Sequence, residues 1–231
     1  MLEVLVGLLP GLIWLSFYLK EDLHPEPKRL LLLTFLAGAG FSVIALVLQL
    51  AVNNFLPPLN FAPTSFSLRE IVTLVLPLFI LAAIEECTKF GAAYAAIHHN
   101  PEFDEPVDAM IYMVVAALGF ATVENIGALH GLTPNIAFMG NLVETLSLRF
   151  VGATLLHTLT SATVGYFWAI SIRDFNSRRF VVWGLVIATT LHAAFNYLIL
   201  LYDSFAFPVL LVLVVGFFVL NDFESLRTKA L

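Results

Sequence analysis

Residues 30–52 carry no charged side chain, and a run of that length is enough to cross the hydrocarbon of a bilayer as a helix, which takes about 20 residues. Hydrocarbon offers no hydrogen bonds, so the backbone of such a run must satisfy itself, as a helix does. Seven runs of this kind follow one another, at 2–19, 30–52, 71–97, 107–129, 146–172, 180–202 and 204–220. The expected fold is all-α: a polytopic transmembrane helical bundle of seven spans forming one integral membrane domain over residues 1–231. Composition agrees. The chain is 60% hydrophobic and 12% charged, against about 45–50% and about 25% for a soluble domain.

Charge placement orients the bundle. Lys20, Lys28 and Arg29 follow the first run, Arg173, Arg178 and Arg179 follow the fifth, and Arg227 and Lys229 follow the last. Seven crossings with the N-terminus outside put all of these on the cytoplasmic side and leave only Arg69 opposite. That is the asymmetry of the positive-inside rule. It also supports the short seventh run, since without that crossing Arg227 and Lys229 would be external. The first run has no basic leader and no small-residue cleavage site, so it reads as a retained helix. The segment 53–70, with Pro57, Pro58 and Pro63, reads as a non-helical cap on the outer side. No basic tract suggests nucleic acid, and the single cysteine, Cys87, excludes an intramolecular disulfide and a cysteine-based zinc knuckle.

The third run contains two adjacent glutamates, Glu85 and Glu86. An acidic residue at the centre of a membrane helix costs about 2.5–3.5 kcal/mol on insertion scales, and such residues mark functional sites by default. Other polar groups fall at similar levels: Glu124 and Asn125 in the fourth run, Arg149 and His157 in the fifth, His192 and Asn196 in the sixth. At about 1.5 Å per residue, Glu85 lies about 20 Å from the outer edge of its run, His157 and His192 about 15–17 Å and Glu124 about 8 Å. Residues three or four apart share a helix face. Lys89 can therefore neutralise one tandem glutamate, with Asp108 as a second partner. Arg149 is placed to meet Glu124. His192 shares a face with Asn196, and His157 with Ser161.

No zinc-protease HExxH, serine-protease GxSG or aspartyl-protease GxGD motif is present. The available groups are carboxylate, imidazole and amide. A desolvated carboxylate is a general base or acid, and imidazole and amide groups stabilise an oxyanion. Glutamate with two histidines is alternatively a catalytic zinc set, here Glu124, His157 and His192. Both routes activate water. His24, His98 and His99 read as solvated loop residues, the acidic run 102–105 as a wet turn, and Trp14, Trp168 and Trp183 mostly as interfacial anchors.

EECTK at 85–89 resembles the EExxK motif of the PrsW intramembrane proteases. PVDAMIY at 106–112 with GFATVEN at 119–125 is similar to their second motif, RFVGATLLH at 149–157 to the third and HAAFN at 192–196 to the fourth. The four occur in the family's order. The resemblance implies the wider superfamily of CAAX prenyl endopeptidases and bacteriocin-processing enzymes, and an intramembrane endopeptidase of a bacterial or archaeal plasma membrane. Its implied substrate is a membrane-anchored protein such as an anti-sigma factor. Glu85, Glu86, Glu124, His157 and His192 are then the expected catalytic residues, with Lys89, Asn125, Arg149 and Asn196 supporting them. The CAAX branch carries histidine where this chain has Glu124. Zinc is one implied cofactor, and carboxylate-only hydrolysis is the alternative.

Two other classes compete. A proton-coupled transporter also uses buried Glu and His, but no internal repeat is present and only Pro77 interrupts a core run. A retinal protein would need a lysine in the seventh run, which has none. A scaffold without chemistry gives no reason for so many intramembrane charges.

Overall fold

The computed structural model describes residues 2–20, 25–56, 71–130, 148–172, 177–202 and 204–227. The prolines of the 53–70 cap, Arg69, His24, Arg173, Lys229 and the side chains of His130 and Arg227 lie outside them. Every described element is helical: α1 (Leu2–Tyr18), α2 (Lys28–Asn53), α3 (Leu76–Ile97), α4 (Pro106–His130), α5 (Leu155–Ile170), α6 (Arg179–Leu201) and α7 (Ala206–Arg227). Among the described residues, α2, α4, α6 and α7 are long and apolar enough to cross a membrane. α3 is interrupted by Glu85, Glu86 and Lys89, the residues of interest.

Helix α4 is apolar on every side, as a central helix must be. From Val107 through Ala121 its hydrophobic side chains are essentially inaccessible. It packs against α1, α2, α3 and α5, while α3 also contacts α2 and α6. In hydrocarbon, helices associate by close packing through small residues. Here α2 and α4 meet at two glycines. A Cβ on Gly38 would stand 1.9 Å from the Ala116 carbonyl oxygen, and one on Gly119 would stand 1.9 Å from that of Phe35. Backbone cannot yield as a side chain does. Gly38→Ala or Gly119→Ala should therefore cost about 1–3 kcal/mol, as overpacking does, measured by loss of the folded fraction in an SDS titration. A variant as stable as the parent would mean that the two helices can part freely.

Three departures from expectation have local causes. Within the runs 71–97 and 146–172, π-helical turns at Ile71–Val75 and Arg149–Thr154 precede α3 and α5. Pro77 has no N–H to donate backward, and it falls in the first turn of α3, where that donor is not required. Pro77 therefore begins the α-helix; it does not break one. The last helix, expected to end at 220, continues to Arg227. Its buried stripe of Val212, Val215, Val219, Phe223 and Leu226 keeps helical spacing past the polar residues.

Expectations for the end of the bundle that holds the α3–α4 connection are corrected in part. Asp108 does not pair with Lys89. Its Oδ2 accepts the backbone N–H groups of Asp104 at 3.0 Å and Glu105 at 2.8 Å, capping α4. His98 is not free in solvent: it is half-buried and stacks on Tyr94 with ring centroids 4.0 Å apart. Trp168 is buried against Phe90, Tyr94 and Phe103 and is no surface anchor, whereas Trp183 is exposed.

Candidate active site

Adjacent residues on an α-helix point about 100° apart, so the tandem glutamates of α3 face different neighbours. Glu86 turns inward and is wholly buried, Glu85 turns toward α2, and Cys87 is exposed. Lys89, one turn below and equally buried, donates to Glu86 Oε1 at 2.6 Å. Thr160 on α5 donates to the same oxygen at 3.1 Å. The His192 Nδ1–H on α6 reaches it at 2.7 Å. Glu86 is thus saturated on one oxygen by three helices' worth of donors. Its role in this arrangement is to fix them.

His157 on α5 is held at both ends. Its Nδ1 accepts from Lys89 Nζ at 3.1 Å. Its Nε2–H then faces Glu124 Oε2 on α4 at 2.8 Å. Glu124 also receives the Arg149 guanidinium at 3.4 Å. Arg149 Nε donates to Asn125 Oδ1, and Asn125 Nδ2 donates to Thr154 Oγ1 at 3.1 Å. The two imidazole rings stand edge to face, 5.1 Å between centroids.

Glu85 completes the set. The Gln49 amide of α2 donates to its Oε1 at 2.8 Å. Its Oε2 is buried and, among the described residues, has no hydrogen-bond partner. That oxygen lies 3.6 Å from His192 Nε2 and 4.0 Å from His157 Nδ1. Each imidazole therefore gives one nitrogen to a carboxylate, Glu86 or Glu124. This is the outer-shell pattern of metal-ligating histidines, whose second nitrogen is held by a carboxylate. His192 turns its other nitrogen toward Glu85, while the other nitrogen of His157 is shared between the Lys89 ammonium and the Glu85 side, so a metal ion there would take the lone pair that Lys89 now holds. One ligand atom from each of Glu85, His157 and His192 lies within 4.8 Å of the others.

The metal-type group thus contains Glu85 where the sequence pointed to Glu124. Glu124 lies beyond His157, oriented by Arg149 and Asn125. The structure brings together Glu85, Glu86, Lys89, Glu124, Asn125, Arg149, His157 and His192. Asn196 is half-buried one turn along α6 and makes no hydrogen bond to the cluster among the described residues. Ser161, on the His157 face, has a buried Oγ without a partner among them. Gln49 and Thr160 were missed. Gln49 had a signal: it is a lone amide near the C-terminal end of an apolar run.

The PrsW family intramembrane metalloprotease model matches residues 26–221 of this chain. Protease PrsW of Geobacillus kaustophilus (strain HTA426) is 29% identical over 199 residues, covering 84% of this chain and 78% of that protein. Protease PrsW of Clostridioides difficile (strain 630) is 28% identical over 226 residues, covering 95% and 87%. Protease PrsW of Bacillus subtilis (strain 168) is 25% identical over 197 residues, covering 84% and 80%. No solved structure matches the chain.

Proposed function

The chain belongs to the PrsW family of intramembrane metalloproteases, and we propose that it cleaves a membrane-anchored protein at a site built on Glu85, His157 and His192. It is a peptidase, and the transporter reading is not favoured. The observation that carries the site assignment is Glu85 Oε2, a buried carboxylate oxygen with no hydrogen-bond partner, facing two imidazole nitrogens.

The donor set suits a zinc ion. One carboxylate and two histidines is a catalytic zinc set that leaves a position open, and both histidines already have carboxylates behind them. Zinc held by Glu85, His157 and His192 would supply a Lewis acid and lower the pKa of water. The chain's own groups do the rest. Glu86 fixes the His192 tautomer and Glu124 that of His157. Lys89 offsets the charge of Glu86. Gln49 keeps Glu85 Oε1 occupied so that Oε2 points into the site. In the carboxylate-only alternative, Glu85 Oε2 is the group placed to take a proton from water as the water oxygen bonds to the peptide carbonyl carbon; with a metal on that oxygen, the proton would go instead to Glu86, whose buried Oε2 also has no hydrogen-bond partner among the described residues. The proton then goes to the departing amine nitrogen as the C–N bond breaks. Arg149 has five N–H donors and uses only some of them on Asn125 and Glu124, so it has others for a carbonyl oxygen.

Seven crossings with the N-terminus outside and the C-terminus in the cytoplasm complete the proposal, in the plasma membrane of a bacterium or archaeon. α3 with its π-helical turn spans Ile71–Ile97, and α5 with its own spans Arg149–Ile170, lengths comparable to the four apolar helices. An anti-sigma factor fits as substrate, being a single-span protein whose cleavage releases a regulator.

Metal analysis of the purified protein tests the site. About one zinc per chain is expected, lost in His157→Ala and His192→Ala and stripped together with peptidase activity by a chelator. Full activity of metal-free protein would replace the zinc reading with carboxylate-only hydrolysis.

A further inference from the structure

A second feature adjoins the site. Between α2 and α4 lies a cleft of about 430 Å³. Ala45 and Gln49 line it from α2, and Val123, Glu124 and Gly127 line it from α4, with Arg149 at its wall. Three of these are site residues: Gln49 holds Glu85, and Arg149 and Glu124 are paired. The mouth is flanked by Val43 and Leu46, each 54% exposed on the lipid-facing side of α2. The cleft is thus apolar where it meets lipid and polar where it meets the carboxylates.

Gly127 is the unusual residue in it. The other α2–α4 glycines, Gly38 and Gly119, are small because backbone presses on them. A Cβ on Gly127 would meet nothing within 4 Å among the described residues. Packing among the described residues does not demand glycine there, an exposed position in the last turn of α4. Its effect is to leave the cleft open.

Resting on the peptidase reading above, we propose that this cleft seats the residue beside the scissile bond of an unwound membrane-spanning substrate, and that Gly127 sets how large a side chain fits. Helical backbone hides its carbonyls, so a substrate must present an extended stretch. In hydrocarbon that stretch needs donors for its freed carbonyls, and the Arg149 guanidinium, with N–H groups beyond those given to Asn125 and Glu124, supplies them. The other large groove, between α1, α5 and α7, is lined by Trp14, Phe17, Leu213 and Phe217. It offers an unwound backbone almost nothing to bond, and acyl chains suit it better.

The test uses the full chain in liposomes with a synthetic single-span polyleucine peptide interrupted by a central Gly–Gly. Gly40 of α2 is the control, since it is exposed and a Cβ there also meets nothing among the described residues. In a Cys87→Ser, Glu85→Gln background, a peptide carrying one cysteine beside the Gly–Gly should form a disulfide with Gly127→Cys and not with Gly40→Cys. Equal capture at both positions, or labelling of Gly127→Cys by a lipid-phase thiol reagent that the peptide does not protect against, would overturn the proposal in favour of a lipid groove. In the otherwise native chain, Gly127→Leu should slow cleavage beside leucine or phenylalanine by about tenfold or more while sparing cleavage beside alanine, and Gly40→Leu should change neither. A uniform loss, or none, would also overturn it. Capture without any cleavage by the parent chain would remove the peptidase reading and leave the cleft as a peptide-binding site.

Discussion

Glu85→Gln is expected to abolish peptide hydrolysis while the bundle stays folded. Glutamine keeps the oxygen that accepts from Gln49, so the α2–α3 contact at 2.8 Å survives. It cannot take a proton from water and is a poor metal ligand. A lost general base costs about 10²–10⁴-fold in rate; where Glu85 is instead a metal ligand, the loss comes with the zinc. Glu86→Gln should behave differently. Glu86 Oε1 receives Lys89, Thr160 and His192, so its charge is structural. Its replacement disorients His192, and outer-shell losses of this kind cost about 10–100-fold in metal affinity or activity. It also leaves the Lys89 ammonium buried without its counter-ion. The readouts are turnover of a membrane-anchored reporter, zinc per chain and resistance to thermal unfolding, measured together. Glu85→Gln should be dead and stable, and Glu86→Gln slow and unstable. The reverse pattern would exchange the roles assigned to the two carboxylates, and full proteolysis by both variants would remove the tandem pair from the mechanism.

This division of labour shows where sequence reasoning ran out. The helical class was legible because a charge-free run as long as 30–52 has few other ways to satisfy its backbone in lipid. Most of the cluster was legible for the converse reason: carboxylates and imidazoles in such runs demand partners. Which tandem glutamate does what was not legible. Glu85 and Glu86 differ only by a rotation about α3, and the rotation is set by how α2, α5 and α6 pack around it. The same holds for Glu124. Residue type grouped it with two histidines, although rise per residue put it at about 8 Å depth against about 15–17 Å for them. The α2–α4 contact at Gly38 and Gly119 and the hold of Arg149 and Asn125 leave it behind His157, not beside the open oxygen of Glu85. Gln49 went unassigned because its partner, Glu85, is 36 residues away on another helix. The π-helical turns were invisible for a different reason, since composition does not separate π from α. They precede two of the helices that carry site residues, α3 and α5, and such turns recur at functional sites.

Lys89→Met should destabilise the chain more than any other single change in the cluster that leaves the backbone alone. Lys89 and Glu86 are both wholly inaccessible, 2.6 Å apart. Two ions taken out of water are tolerable only as a pair. Removing one leaves the other without its charge balance, at about 3–5 kcal/mol. Methionine matches the lysine stem in length and fills the space under Phe120, whose ring centroid lies 5.7 Å from Nζ, so lost packing contributes little. The nitrogen also donates to His157 Nδ1, and that bond goes with it. If charge balance is the cause, removing the second charge should repair much of the damage. Lys89→Met/Glu86→Gln should then be more stable than Lys89→Met alone, with a coupling between the sites of about 2–3 kcal/mol in an SDS or thermal unfolding cycle, the upper part of the range for residues in contact. The double variant should remain poorly active, because His192 has still lost the carboxylate that orients it. Additive losses, with no recovery in the double variant, would mean that Lys89 supports the bundle by its shape and that Glu86 finds its charge balance elsewhere.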